Sequence, residues 1–160
     1  MQNMFLKLGS IKGECTLTKF KDQIEIYSFS HGFSQPTSAL RSSEGGATTS
    51  RAHHSEISFS KRFDKSSPPI MQALWQGTTF PEVVFTCCRV DGEETVEYLV
   101  VTMNNVVISN YNISGGGDLP GETFSLNYSK VKYEYKQQKN EGGAAGNLAA
   151  VDDLATGAKK

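Results

Sequence analysis

The stretch His53-His54-Ser55-Glu56 places two imidazoles beside a hydroxyl and a carboxylate, the raw materials of nucleophilic or metal chemistry. In an extended strand, however, side chains alternate, so His53 and Ser55 point to one face and His54 and Glu56 to the other. Neighbouring imidazoles that diverge cannot hold one ion between them. Ser55 lies outside any G-x-S-x-G elbow, and the third histidine, His31, belongs to another strand. The pattern therefore reads as a strand carrying surface histidines. A small metal-dependent hydrolase drawing on His53, His54, Glu56 and Asp64 is the competing enzymatic reading. The glycines of "SGGGD" (114–118) lack the G-K-[ST] of a phosphate loop and any helix after it, so they read as a turn. Tyr128, Tyr133 and Tyr135 could stack on a sugar or a base, which would suit a monomeric β-sandwich binding module. No catalytic residue, metal or cofactor is assigned.

The elements that would position these residues are strands. Apolar residues recur mostly at period two in "MFLKLG" (4–9), "DQIEIYSFSHGFSQP" (22–36), "HSEISFSKRFDK" (54–65), "EVVFTCCRVD" (82–91), "TVEYLVVTMNNVVISNYNIS" (95–114) and "ETFSLNYSKVKYEYKQQ" (122–138). Asp91-Gly92 predicts a tight hairpin of type I′, and "SGGGDLPGE" (114–122) a looser loop. Two strands change parity partway. Ile24 and Ile26 fall on even positions but Phe29 and Phe33 on odd ones, which requires a kink near Tyr27–Ser28. Phe124, Leu126 and Tyr128 against Val131, Tyr133 and Tyr135 require a bulge near Ser129–Lys130. "DKSSPPIMQALWQG" breaks the pattern and predicts a helix over about 67–76, capped by Ser66 or Ser67 and ended by Gly77. Its pairs Ile70/Leu74 and Met71/Trp75 would form one apolar face. Bent long strands with one helix predict a mainly β fold, a small closed barrel or sandwich of two sheets with one short α-helix.

The bulk numbers agree with one such domain. The chain has 160 residues, 38% hydrophobic and 21% charged, with formal net charge −1. That balance offers no field for nucleic acid or an anionic membrane. No window approaches the ~18 apolar residues of a spanning helix, and the N-terminus has no signal-peptide pattern. Cys15, Cys87 and Cys88 form no C-x-x-C, and the adjacent pair should point to opposite faces of a strand, so all three read as reduced thiols. Ser28, Ser30, Gly32 and Ser34 make one strand face small, polar and uncharged opposite bulky Phe29, His31 and Phe33, as the wall of a water-filled channel would. "TSALRSSEGGATTSR" (37–51) is a long loop of the kind that is usually functional.

Four blocks taken in order, "MFLKLGSIKGEC", "IYSFSHGFSQP", "ISFSKRFDKSSPPIMQAL" and "ETFSLNYSKVKYEYKQQ", resemble the Hcp (haemolysin-coregulated protein) family, which builds the inner tube of bacterial type VI secretion systems. The resemblance covers roughly residues 4–139. It implies a non-enzymatic β-barrel subunit that closes into a homohexamer whose rings stack into a tube. Its implied partners are a contractile sheath, a VgrG-type spike and small effector proteins in the lumen. It further implies assembly in the bacterial cytoplasm and secretion without a signal peptide. Ser28 and Ser30 then become the expected lumen-facing residues. Leu40, Arg41, Glu44 and Arg51 belong to the expected ring-stacking loop. The chain departs from the family in having Cys15 where Gly-Glu-Ser is common, and in lacking the Gly-Trp pair of a last strand. The expected organisation is a barrel domain over 1–139 and a flexible Gly/Ala-rich tail over 140–160.

Overall fold

The structure, a computed structural model, describes residues 3–37, 51–138 and 144–155. The chain runs β1 (Met4–Leu8), β2 (Ile24–Ile26), β3 (Ser28–Ser30), β4 (Phe33–Ser34), β5 (His53–His54), β6 (Ile57–Arg62), α1 (Ser67–Gln76), β7 (Thr79–Asp91), β8 (Glu94–Ser114), β9 (Gly121–Asn127), β10 (Lys130–Gln138) and β11 (Ala144–Asp153), with one 3-10 turn at Thr18–Phe20. Nine of the strands share one antiparallel sheet ordered β2-β1-β7-β8-β9-β6-β3, with β10 on β8 and β11 on β10, while β4 and β5 form a separate two-stranded ribbon.

The sheet folds over at two corners. The N-terminal part of β8 pairs with β7 and β10, and its C-terminal part pairs with β9. The change falls at Asn105, whose φ of 51° is one that asparagine tolerates better than most residues. There Asn105 Nδ2 donates to Ser129 Oγ at 3.0 Å, and the Ser129 amide donates to Asn104 O at 3.1 Å. The parity change near Ser129–Lys130 is therefore a corner between two strands rather than a bulge within one. It does what the side chains require, since Phe124, Leu126, Tyr128 and Val131 are all buried. The second corner is Tyr27. It turns outward between β2 on β1 and β3 on β6, with its amide on Ser60 O at 2.8 Å. The two ends of the strand path are thus joined by the chain at Tyr27 and not by a ladder, so the sheet is folded but open. This corrects the expectation of a closed barrel.

Between the two layers lies one apolar core, in which Phe85 of β7 meets Phe29 at 4.8 Å and Phe59 at 4.9 Å between ring centroids. Full burial of such a side chain stabilises by about 1.5–3 kcal/mol. A smaller cluster, Phe5, Cys15, Phe20 and Cys88, lies on the other side of β1 and β7.

The helix has its expected bounds and its expected glycine stop, Gly77 at φ 65°. Its start differs from expectation. The Ser66 hydroxyl turns to Asp64 Oδ1, which also accepts from the Ser66 amide at 2.8 Å, and no side chain caps the helix amides. Its buried face is Ile70 and Ala73 with Leu74 half-buried, whereas Trp75 is 75% exposed. The β7–β8 hairpin turns at Gly92–Glu93 with Gly92 at φ 64°. Asp91 is the last ladder residue, so Asp-Gly does not fill both turn positions as a type I′ reading supposed.

The C-terminal expectation also needs correction. Ala144–Asp153 form β11, paired with β10 from Lys130↔Asp153 to Gln138↔Ala144 with one register shift between Gln137 and Gln138. Alanine and glycine favour strands weakly. This strand is fixed by its ladder and by Leu154, whose amide donates to Ser129 O at 2.7 Å.

Candidate functional site

Four tripeptides of one kind lie side by side: Ser28-Phe29-Ser30, Ser58-Phe59-Ser60, Thr123-Phe124-Ser125 and Asn110-Tyr111-Asn112. The ladders align Ser28 with Ser60, Thr123 and Asn112, and Ser30 with Ser58, Ser125 and Asn110. Alternation sends the aromatic residue of each tripeptide into the core and the two small polar residues to the opposite face. That face is a sheet of hydroxyls and amides without a charge. Ser28 and Ser60 share a hydrogen bond between hydroxyls, as do Ser58 and Ser125 at 2.8 Å. Arg62 stands at its rim, with its guanidinium 5.4 Å from the centre of the Tyr27 ring. Ser28 and Ser30 are exposed on this face, as expected. The other six residues were missed, although the repeated pattern of polar, aromatic, polar was present in the sequence.

Beneath the face, β6 and β9 each carry a charge inward. Lys61 Nζ lies 2.5 Å from Glu122 Oε1 and 2.8 Å from Asp64 Oδ1, and donates to Ser67 Oγ at 3.0 Å. The side chains of Lys61 and Glu122 are fully buried. Tyr111 donates to Glu122 Oε2, and its own hydroxyl is pushed well above its ordinary range by burial first and then by that carboxylate. Asp64 is thus committed to Lys61 and to the start of α1.

The histidines do not assemble a hydrolytic centre. His53 is exposed, and the strand breaks at Ser55–Glu56, with Glu56 exposed as well. Among the described residues no group of three or more His, Cys, Asp or Glu side chains could hold a metal ion. His54 turns inward instead and joins His31, which sequence spacing did not link to it. His31 Nδ1 lies 2.6 Å from Tyr133 Oη and its Nε2 2.7 Å from Tyr128 Oη. His54 Nδ1 lies 2.7 Å from the same Tyr128 oxygen, and its Nε2 2.8 Å from Asp152 Oδ2. Phe33 packs edge-on against both imidazoles and Tyr133. Burial pushes the Tyr133 hydroxyl up to about 12 and Tyr128 higher still. Tyr128 is buried, and its hydroxyl and that of Tyr133 are bonded to His31, whereas Tyr135 is 43% exposed, so the three do not form the open stacking platform considered above.

The thiols are buried and free. Burial raises Cys87 to about 11 and Cys88 to about 12, and raises Cys15 as well. As expected for neighbours in a strand, Cys87 joins the main core and Cys88 the smaller one. Leu40, Arg41 and Glu44 lie outside the described residues. Arg51 is exposed and its Nη1 donates to Leu154 O at 3.3 Å. No helix among the described residues is long and apolar enough to cross a membrane.

A folded antiparallel sheet with one helix against β8 defines a mainly β, sandwich-like fold. Comparison with known proteins makes this specific. Residues 5–135 match the family described as "Type VI secretion system effector, Hcp". The chain is 34% identical over 146 residues to Protein hcp1 of Pseudomonas aeruginosa, covering 90% of this chain and 89% of that one. A solved type six secretion system protein superposes with a TM-score of 0.89 at 29% identity, over 100% of both chains. Hcp1 from Salmonella typhimurium shares the fold, with a TM-score of 0.78 at 24% identity, over 98% of this chain and 97% of that one. The chain belongs to the Hcp family of type VI secretion tube proteins.

Proposed function

We propose that this chain is a structural subunit of a type VI secretion inner tube. Six copies close head-to-tail into a ring, rings stack, and the β3–β6–β9–β8 face lines the channel. The observation that carries the reading is the aligned array of eight small uncharged polar residues. It gives a hydrated wall with nothing to grip a passing polypeptide strongly, backed by aromatic residues that keep it stiff. Small effector proteins are the proposed cargo, and a VgrG-type spike and a contractile sheath the proposed neighbours. Secretion with the tube is the proposed route out of the cell. The stacking role of Leu40, Arg41, Glu44 and Arg51 belongs to the same proposal.

The test is negative-stain electron microscopy of the purified protein. Six-fold rings with an open centre are expected. A Ser30→Cys variant labelled with maleimide-gold should place the label in the opening, because the native thiols are buried. A field of monomers at high concentration overturns the ring, and gold on the outer rim overturns the choice of face.

A further inference from the structure

The ribbon β4–β5 brackets residues 35–52 and is held to the body by the chain Tyr133–His31–Tyr128–His54–Asp152. Donors and acceptors along it can be counted. With both imidazoles neutral, Tyr133 donates to His31 Nδ1 and His31 Nε2–H to Tyr128. Tyr128 then donates to His54 Nδ1, and His54 Nε2–H to the Asp152 carboxylate, so every position is matched. A first proton on His54 is also accommodated. Its Nδ1–H now donates to Tyr128, Tyr128 donates to His31 Nε2, and His31 Nδ1–H donates to Tyr133. A second proton, on His31, has no solution. Two cationic N–H groups then face one Tyr128 oxygen, and the buried Tyr128 proton loses its acceptor, which penalises the closed arrangement.

We propose that this chain is a protonation-sensitive latch, which holds the β4–β5 ribbon against β10 and β11 at neutral pH and releases it when both His31 and His54 are charged. The groups facing the two imidazoles are each other, Tyr128 from the β9–β10 corner, Tyr133 from β10 and Asp152 from β11. Cys87 of β7 lies beside Tyr133, and its burial keeps it a neutral thiol. Among the described residues, Asp152 is the carboxylate bonded to an imidazole, and that imidazole is His54. Burial first, and then the His54 charge, push His31 below the ordinary imidazole range. At His31 the folded chain thus binds fewer protons than the unfolded chain below about pH 6.5, so that group's contribution to stability falls as pH falls through that region. The latch itself stands apart from the proposed tube. Its consequence, that ring stacking through the bracketed segment would weaken in acid, rests on that reading.

The probe is the Ser55 amide, which donates to Gly32 O at 2.9 Å beside the ribbon. Its hydrogen-exchange protection, corrected for the intrinsic rate, should fall at least about tenfold between roughly pH 7.5 and pH 5. Over the same range, ¹⁵N imidazole spectra report the charge on each imidazole. His31→Gln leaves Tyr128 facing one titrating group and should hold protection within about twofold; His54→Gln serves the same purpose if the first variant does not fold. Protection that stays constant in the native protein while both imidazoles charge, or that falls equally in the glutamine variant, overturns the latch. Either result leaves ring formation at neutral pH untouched, so the two proposals fail separately.

Discussion

Lys61→Met is expected to destabilise this protein more than most single substitutions, although Lys61 touches neither the polar face nor the ribbon. Its ammonium is fully buried and sits 2.5 Å from Glu122 and 2.8 Å from Asp64, with Ser67 Oγ and the Arg62 carbonyl completing its shell at 3.0 and 3.1 Å. Two carboxylates share one ammonium, and the excess negative charge lies at the N-terminal end of α1, where the helix dipole favours it. Methionine fills similar volume but leaves Glu122 buried with only the Tyr111 hydroxyl. Removing one partner of a buried pair costs about 3–5 kcal/mol. The double variant Lys61→Met/Glu122→Gln keeps an acceptor for Tyr111 and removes the stranded charge. Its loss should therefore be smaller than the sum of the two single losses by about 2 kcal/mol or more. Urea unfolding at one fixed protomer concentration measures all three. A Lys61→Met loss under about 1 kcal/mol, or strict additivity, would refute the claim that this pair holds β6, β9 and α1 together.

Two further outcomes are expected. Gly13→Ala should cost about 2 kcal/mol or more by thermal or urea unfolding, because a Cβ there would sit 2.4 Å from Gln23 O and 2.6 Å from Ile24 Cα, both backbone. A near-neutral result would mean the Gly13–Gln23 approach is loose. Cys87 and Cys88, held near 11 and 12, carry almost no thiolate at about pH 8. Iodoacetamide should leave the folded protein unmodified and alkylate all three cysteines once it is denatured, as read by intact mass.

Much of the fold was legible in the sequence because alternation is a local signal. The strands, the helix and the two parity changes at Tyr27 and Ser129 all follow from which residues must share a face. What each parity change means is not local. A bulge and a corner make the same demand on side chains, and only the switch of β8 from β10 to β9 tells them apart. β11 was missed for a related reason. Ala149 and Ala150 are poor advertisements for a strand, and what makes them one is the free edge of β10. The His31–Tyr128–His54 chain joins residues 97 and 74 positions apart, so no motif spacing could have announced it. By contrast, the exposure of Ser28 and Ser30 was legible because their strand repeats small and large residues so plainly.

The polar face and the buried charges belong to one arrangement. In β6 the residues pointing inward are Ile57, Phe59 and Lys61, and those pointing outward Ser58, Ser60 and Arg62. A strand with serines on its exposed face gains little stability from that side, so its position must be fixed from within. Phe59 meets Phe124 and Phe85 there, and Lys61 meets Glu122 across the ladder. A shift of β6 by one residue would carry Ile57, Phe59 and Lys61 to the outer face and leave Glu122 buried without its ammonium, so the ion pair adds to the register that apolar packing already favours. On this argument Lys61 and Glu122, together with Ile57 and Phe59, set the register that keeps the four polar tripeptides aligned. A variant that loses the pair should lose the order of the face before it loses the fold, visible as faster exchange of the β6 and β9 amides at denaturant concentrations where the core is still intact.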